Sequence, residues 1–364
     1  MAQNEMATSS LIDPKLAITV ARKSLADWEV NNHASLAAYL PSKEVQDIAY
    51  EIDYIDDAAV TAANWRAFDG AATGETYGTG AKAVGSLQPV SRIDTVTEEA
   101  KLRMRFDADE ALKRTYVDRI ARAAQSIALQ VNYQRANALF NAKLSLQGSG
   151  GLRIEVDFNR DPAFNPTATK LFSDPAANPF EQLLIWRDQY FDKNHVEPAE
   201  IWMPSVVFRA FLRHPNVVSA TNPSYAREPK FATRTAVNEV MVDTLGLPPI
   251  VEKSAQKVKV DDFDTGQTKL VNVIPQDKVF FMPKPGSATA PNDFEDYGVT
   301  LWGESANVDL PGINKVFDDK FGTPGIIAGV LTHNSFPVYS EVFADALAMP
   351  VVIQPNKVLA GKVL

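Results

Sequence analysis

The four histidines of this chain are candidates for proton transfer or metal binding, because imidazole titrates near neutral pH. They are His33, His195, His214 and His333, and no two of them are four residues apart, the spacing at which one helix presents two ligands to zinc. We therefore expect these histidines to lie on the surface or to cap helices.

Acidic residues cluster at two places, and neither cluster has the pattern of a cation site. The run at 261–264 (DDFD) lacks the glycine and the final glutamate of a calcium loop, so it indicates the solvated end of a hairpin. Asp107, Asp109 and Glu110 precede a long helical pattern, where carboxylates interact favourably with the helix dipole. We predict no metal and no cofactor.

Glycines are frequent between residues 70 and 85, but they do not form a phosphate cradle. Gly78 and Gly80 begin a G-x-G pattern whose next glycine is Gly85 instead of three residues further on, and no P-loop sequence is present. A G-x-S-x-G nucleophile elbow is also absent. Nothing positive indicates an enzyme, and these glycines are typical of a flexible loop tip.

The composition of the 364 residues narrows the class of protein. Cysteine is absent, which excludes disulfides, thiolate catalysis and iron–sulfur clusters. The net charge of −9 argues against a sequence-reading DNA-binding domain, which is usually basic. The N-terminal segment lacks the apolar core of a signal peptide, and no apolar run approaches the ~20 residues of a membrane helix. We expect a soluble protein with two or more lobes, made in a reducing compartment.

Two alternating patterns, far apart in the sequence, predict a long β-ribbon. Residues 48–54 and 100–106 each alternate apolar and polar side chains, as strands with one buried face do. A structureless span of this length between them would be unusual in a compact domain. We interpret residues 46–106 as a two-stranded arm that lies on another copy, because an isolated ribbon is only marginally stable.

Residues 107–147 contain neither glycine nor proline, and apolar residues recur at helical spacing. This pattern predicts a helix of up to roughly 60 Å that serves as a spine or breaks partway. Its basic residues either form ion pairs and a solvated face, or lie against a polyanion such as packaged DNA. The candidate DNA-facing residues are Arg114, Arg119 and Arg122, with Lys113, Arg135 and Lys143 adding to the positive charge.

The remaining segments predict further helices and strands. Asp13 and Pro14 are typical of the start of a helix, and Asn178 with Glu181 has the pattern of a capping box. Helices are also predicted over 206–213 and 233–245, and strands over 201–203, 258–263, 269–274, 279–282, 299–302, 326–331, 338–343, 351–353 and 358–364.

The order of these elements resembles the major capsid proteins of tailed double-stranded DNA phages, which share the Hong Kong ninety-seven fold. The resemblance is strongest to the lambda-type (E-type) capsid family and extends from about residue 14 to the C-terminus. It rests on the tip NWRAFDGAATGETYGTGA with the later KLRMRF, the helix VDRIARAAQSIALQVNYQRANAL, and the end VFADALAMPVVIQPNKVLAGKVL.

This resemblance implies an α+β fold whose parts follow one another along the chain. They are an N-terminal arm (1–45), an extended loop formed by a β-hairpin (46–106), a peripheral domain with the long spine helix (107–178), a mixed α/β axial domain (179–296), a return to the peripheral domain (297–346) and a C-terminal strand of the axial domain (347–364).

The same resemblance implies a structural protein that self-assembles into hexamers and pentamers of an icosahedral shell around phage double-stranded DNA. The extended loop would lie across a neighbouring copy. The implied contact residues at its tip are Trp65, Phe68, Gly70, Gly74, Tyr77, Gly80 and Lys82.

Further partners follow from the resemblance. They are a portal, a separate scaffolding protein (because the sequence has no room for an N-terminal scaffolding segment) and, in some relatives, a decoration protein. DNA would be held without base readout, no membrane contact is expected, and assembly in the host cytoplasm would yield the virion capsid. Two alternatives stay open: an encapsulin-type nanocompartment shell of the same fold, and a soluble enzyme with a projecting dimerisation arm.

Overall fold

The computed structural model describes residues 6–8, 12–53, 82–103, 109–148, 151–221, 231–254, 256–263, 265–285, 297–310, 325–333 and 336–364. The helices are α1 (Pro14–Asn31), α2 (Glu98–Arg103), α3 (Asp109–Ala136), α4 (Pro179–Asn194), α5 (Ser205–Arg213), α6 (Pro215–Thr221) and α7 (Arg234–Asn238). The strands are β1 (Met6–Thr8), β2 (Ser42–Glu44), β3 (Ala49–Asp53), β4 (Lys82–Ser86), β5 (Gln88–Val96), β6 (Lys143–Gly148), β7 (Leu152–Asp157), β8 (Glu200–Pro204), β9 (Ile250–Lys253), β10 (Lys257–Asp262), β11 (Gln267–Asn272), β12 (Lys278–Met282), β13 (Gly298–Gly303), β14 (Ile327–His333), β15 (Tyr339–Val352) and β16 (Leu359–Lys362).

The chain divides into two compact units, of which the first comprises Met1–Tyr50, Val84–Arg135 and Gly286–Val351. Its sheet has the strand order β1-β14-β15-β13-β2, and β5 also pairs with β15. β14 and β15 are antiparallel, whereas β2 runs parallel to β13. This unit therefore forms only when segments from distant parts of the sequence meet.

Two helices contribute to the core of the first unit, and α3 does so through its predicted apolar face. Ala17 of α1 and Ile120 of α3 belong to one buried cluster together with strands of the sheet. α1 begins as predicted, because the Asp13 carboxylate accepts a hydrogen bond from the Lys15 backbone N–H at 2.9 Å and Pro14 is the first helical residue. The N-terminal helix is therefore part of the core of its own subunit.

The second unit comprises Glu51–Ala83, Ala136–Pro285 and Val352–Leu364. Its central sheet has the order β16-β12-β8-β9, in which β12 is antiparallel to both of its neighbours and β9 is parallel to β8. Two separate hairpins, β6–β7 and β10–β11, also belong to this unit. The pairing of β10 with β11 confirms the hairpin predicted over 258–274.

The central sheet of the second unit is covered on both faces. On one face, the ring of Trp186 from α4 lies 6.5 Å from that of Phe281 in an edge-on arrangement. On the other face, the ring of Phe140 lies 4.6 Å from Phe280 and 6.2 Å from Trp202. Burial on both sides explains why these strands consist of nearly continuous apolar runs, without polar alternation.

The strand predicted over 100–106 is wrong in its described part, because Glu98–Arg103 forms the helix α2, whereas 104–106 lies outside the described residues. Thr97 caps this helix by accepting a backbone hydrogen bond at 3.4 Å, and Arg103 pairs with Glu99 one turn earlier at 2.6 Å. These local helix signals outweigh the apolar alternation. The strand that pairs with β3 is β4, and β5 belongs to the sheet of the first unit.

The helix predicted over 107–147 is confirmed in type but ends early. α3 has 28 residues, about 42 Å at the usual rise, instead of roughly 60 Å. A wider helical turn follows over Asn137–Asn141, and the left-handed backbone of Ala142 (φ 51°) ends it before β6 begins. Similarly, the helix predicted over 233–245 changes to the wider turn after α7.

The predicted C-terminal strands are present, with one difference. The segments predicted at 338–343 and 351–353 are parts of the single strand β15. Its alanine-rich middle has low strand propensity, but the antiparallel pairing with β5, from Ser340↔Val96 to Ala348↔Gln88, fixes the extended backbone.

Candidate assembly and nucleic-acid surfaces

The base of the predicted extended loop is a two-stranded ribbon. β3 pairs with β4, and Lys82 is the first residue of β4. In this ribbon Gly85 faces the ring of Tyr50, where a Cβ atom would be 2.4 Å from ring atoms, so the close approach requires glycine. The other predicted tip residues lie outside the described ranges: Trp65, Phe68, Gly70, Gly74, Tyr77 and Gly80.

The three arginines predicted to face DNA differ in their surroundings. Arg119 is only partly exposed, and its Nη1 lies 2.8 Å from Oδ2 of Asp94 on β5, so this cation already has a counter-charge. Arg114 and Arg122 are exposed on α3, eight residues apart, with the exposed Asp118 between them. Two of the three predicted arginines, Arg114 and Arg122, therefore lie on one exposed stripe of α3.

Two further basic residues of the predicted helix have structural roles. Arg135 is buried, and its guanidinium binds Glu29, Ser42 and Thr300. Lys143 lies on β6, where its Nζ is 2.8 Å from Oδ2 of Asp157. Three of the six basic residues named for this segment therefore form ion pairs, one of the two alternatives that the sequence left open, while Lys113, Arg114 and Arg122 are exposed.

The histidines do not gather at one place, and the expectation of surface or capping positions is wrong for His333, which is buried in β14. His195 ends α4 in a left-handed conformation, as expected of a capping residue. His214 is buried with its Nε2 3.0 Å from the carbonyl oxygen of Asp174. His333 is also buried, 3.0 Å from Oε2 of Glu341 and stacked on the ring of Tyr339. Within the described ranges, no three His, Asp or Glu side chains are arranged to hold a metal ion.

An open groove of about 600 Å³ lies beside α4 in the second unit. Asp161, Asp188 and Asp192 line it together with Phe164 and the exposed Ile185. Asp161 caps the following short helical turn and Asp188 binds Arg187, so two of the three carboxylates already have structural partners. The groove therefore has no convergent set of free catalytic groups.

A basic feature that sequence analysis missed lies on the central sheet of the second unit. Lys278 of β12 is directly opposite Lys362 of β16, and Lys253 of β9 is opposite Pro204 of β8. The register that pairs Phe280 with Trp202 continues to place Lys278 opposite Pro204. The three lysines, here called the lysine row, therefore lie in one line across four strands.

The lysine row lies on the sheet face that Phe140 covers. Strand alternation puts Lys278 on the same face as Phe280, and Nζ of Lys253 lies 3.8 Å from the ring centre of Trp202. No local sequence signal connects these lysines, because residues 253, 278 and 362 belong to separate strands. Only the strand register brings them together.

Burial affects the titration of two members of the row. Burial lowers the pKa of Lys253, while the nearby Glu200 carboxylate opposes this shift. The pKa of Lys278 is also lowered, first by burial and then by the positive charges of Arg160 and Lys362, against the opposing effect of Asp277. The fold thus holds both ammonium groups in surroundings that disfavour their charge.

The comparisons with known proteins agree with this architecture. The sequence model of the family described as phage major capsid protein E matches residues 39–310, well over half of the chain. Among curated proteins, none has a sequence significantly similar to this chain. In the described ranges, no helix combines the length and apolar character needed to cross a membrane.

Two solved structures have the same overall fold. One is a prophage protein from E. coli CFT073 assigned as a capsid protein, with a TM-score of 0.52, 15% identity, and coverage of 79% of this chain and 80% of that one. The other is a phage-related protein from Bordetella bronchiseptica RB50, with a TM-score of 0.53, 13% identity, and coverage of 98% and 97%. The chain therefore belongs to the phage major capsid protein E family, has the α+β fold of Hong Kong ninety-seven-type capsid proteins, and is a structural protein of the phage head shell.

Proposed function

We propose that copies of this chain form the hexamers and pentamers of an icosahedral shell that encloses phage double-stranded DNA. The match to the capsid family over residues 39–310 carries this proposal. A shell subunit of this kind requires no catalysis. The encapsulin alternative has less support, because the family match is to a phage capsid protein.

The experiment that tests the proposal is size-exclusion chromatography of the purified chain followed by electron microscopy. We expect shells or capsomers of many copies. A monomer or dimer as the only species, at all concentrations and in the presence of the other head proteins, would contradict the proposal. Shells that enclose an enzyme instead of DNA in the host cell would favour the encapsulin alternative.

We further propose that the first compact unit corresponds to the peripheral domain and the second to the axial domain. The bounds expected from the sequence are 107–178 and 297–346 for the peripheral domain, and 179–296 with the C-terminal strand 347–364 for the axial domain. They differ from the two units chiefly at 136–178, which belongs to the second unit. The central sheet of the second unit, which includes β16, supports the return of the C-terminus to the axial domain. The segments expected as the arm (1–45) and the extended loop (46–106) extend into the first unit, because α1 lies in its core and β5 pairs with β15 in its sheet.

The extended loop would join neighbouring subunits. Its base is a ribbon of only two strands, β3 and β4, and such a ribbon gains stability when it lies on another surface. We propose that the tip, from Trp65 to Lys82, lies across an adjacent copy in the shell. Binding between copies then replaces the disulfides that a chain without cysteine cannot form.

Arg114 and Arg122 are the members of the predicted basic spine that we propose for contact with packaged DNA. Both are exposed, whereas Arg119 already binds Asp94. Charge reversal at Arg114 and Arg122 should reduce DNA retention in assembled shells. Reversal of Arg119 is the matched control, because it breaks a structural ion pair instead.

The remaining partners are expected from the family and stay proposals. We propose a separate scaffolding protein, a portal at one vertex and, in line with some relatives, a decoration protein on the outside. Assembly would take place in the host cytoplasm. Co-purification of each partner with assembling shells would test these contacts one by one.

A further inference from the structure

The lysine row places three positive charges in one line across the sheet, and the nearby carboxylates Glu200 and Asp277 form no ion pair with them. Lys278 and Lys362 are directly opposite each other, and like charges in such a cross-strand pair are destabilising. In the described ranges, no carboxylate lies within ion-pair distance of Lys253, Lys278 or Lys362. An anion bound along the row would remove this repulsion.

The surface around the row has the properties of a site for a polyanion. Lys362 is exposed, while Lys253 and Lys278 are half-buried. The aromatic neighbours on the same face, Trp202 and Phe280, are buried and do not offer the exposed anchors that dominate protein interfaces. The row therefore presents charge without an apolar centre.

The dimensions of the row match a phosphate backbone. Strands are about 4.8 Å apart, so the three steps from β16 to β9 span about 14 Å. Double-stranded DNA carries about one negative charge per 1.7 Å of its axis, so several phosphates lie within this length. Lysine binds phosphate as a point charge, which requires no particular base sequence.

From this geometry we propose that the lysine row binds phosphates of the double-stranded DNA enclosed by the shell, as a second DNA-contacting site besides Arg114 and Arg122. The proposal rests on the function proposed above. The family match assigns no role to Lys253, Lys278 or Lys362, the three residues of the second unit concerned.

The test compares two triple variants of the full chain with equal loss of charge. One is K253Q/K278Q/K362Q, and the control is K257Q/K259Q/K284Q, which removes three exposed lysines of the same unit. Binding of the unassembled chain to a short labelled DNA duplex is measured by fluorescence anisotropy over a range of salt concentrations. We expect the slope of log K against log salt to fall by about 2 to 3 in the row variant, since each lost phosphate contact removes about 0.9.

Three results would overturn the proposal. One is an equal change of slope in both triple variants, and another is a wild-type chain that does not bind the duplex. If the row variant keeps its DNA slope but no longer forms shells, the row is a contact between copies, which also overturns the proposal. Because binding is measured on unassembled chain, failure of shell formation by the wild type would not be mistaken for failure of this site.

Circular dichroism checks that the variants fold. If the triple substitution unfolds the second unit, two milder variants test the proposal instead. K362Q alone changes an exposed side chain and should lower the slope by about 1. K253R/K278R/K362R retains the charge and should retain the wild-type slope. An unchanged slope in K362Q would contradict the proposal.

Discussion

The buried guanidinium of Arg135 on α3 lies 2.7 Å from the Glu29 carboxylate on α1, measured from Nη2 to Oε1. The Arg135 side chain is 1% exposed and that of Glu29 is 16% exposed, so both charges are largely removed from water. Arg135 also donates to the hydroxyl oxygens of Thr300 and Ser42, each at 2.8 Å. This network joins the spine helix to the N-terminal helix and to two strands of the first unit.

Replacing Arg135 should destabilise the first unit. R135M leaves the Glu29 carboxylate without its positively charged partner in a nearly dry site, and we expect a loss of about 3 to 5 kcal/mol in the free energy of unfolding. Urea denaturation of the unassembled chain measures this loss. R114M, on an exposed position of the same helix, should change stability by less than about 0.5 kcal/mol. Equal stabilities of the two variants would refute the role given to the network.

Arg160 should be equally important in the second unit. Its guanidinium donates to the carbonyl oxygens of Leu139 at 2.6 Å, Phe140 at 3.0 Å and Pro355 at 3.0 Å. R160M leaves these buried acceptors without this donor, and we expect a loss of at least about 3 kcal/mol. R160K keeps the charge but not the planar fork, so its stability should lie between those of wild type and R160M. A lysine variant as unstable as the methionine variant would contradict this account.

Gly361 should not tolerate a side chain. A Cβ atom at this position of β16 would be 2.4 Å from the ring of Trp186, so G361A must displace a buried tryptophan at a cost of about 2 kcal/mol or more. G266A is the control, because its Cβ would meet open space and only its φ of 65° opposes alanine, at about 1 kcal/mol. Urea denaturation followed by tryptophan fluorescence separates the two. If G266A loses more free energy of unfolding than G361A, the Trp186 ring moves aside at little cost and the prediction is wrong.

The stability of the second unit should rise at alkaline pH through Lys253 and Lys278. Their pKa values are lowered in the folded state, so between those values and the unfolded value of 10.5 the unfolded chain binds more protons. The free energy of unfolding therefore increases with pH in that window. K253M/K278M should lose this increase relative to wild type when urea denaturation is compared at about pH 7.5 and about pH 10. K257M/K259M should keep the increase in the free energy of unfolding. If the wild type and both double variants depend on pH in the same way, the pKa values of Lys253 and Lys278 are not lowered by folding.

Shortening the extended loop should abolish shells but not folding. Deletion of Gly70–Gly85 would test this loop, but it also removes the contact of Gly85 with Tyr50 in the ribbon. Deletion of residues 70–80 leaves β3 and β4 intact and is the sharper variant. We expect a wild-type urea transition and no closed particles by electron microscopy. Normal particles from this variant would disprove the role of the loop in assembly.

Local patterns predicted individual elements well. The Asp13-Pro14 start of α1, the Asn178 cap of α4 and the β10–β11 hairpin each depend on neighbouring residues and were predicted correctly. The strand at 100–106 failed because alternation and a capped helix compete in the same short segment, and the cap at Thr97 prevails. The end of α3 depends on Arg160 and Ala142, whose effect on the chain cannot be read from helical periodicity.

By itself the sequence determined the capsid-type order of elements, the absence of disulfide chemistry and the positions of basic residues. Only the tertiary structure decided which of those charges are already neutralised, as at Arg119 and Arg135, and which lie in one row without an ion pair in the described part of the chain, as at Lys253, Lys278 and Lys362. The reason is physical: an ion pair or a cluster depends on distance in space, and strand register brings together residues that are far apart along the chain.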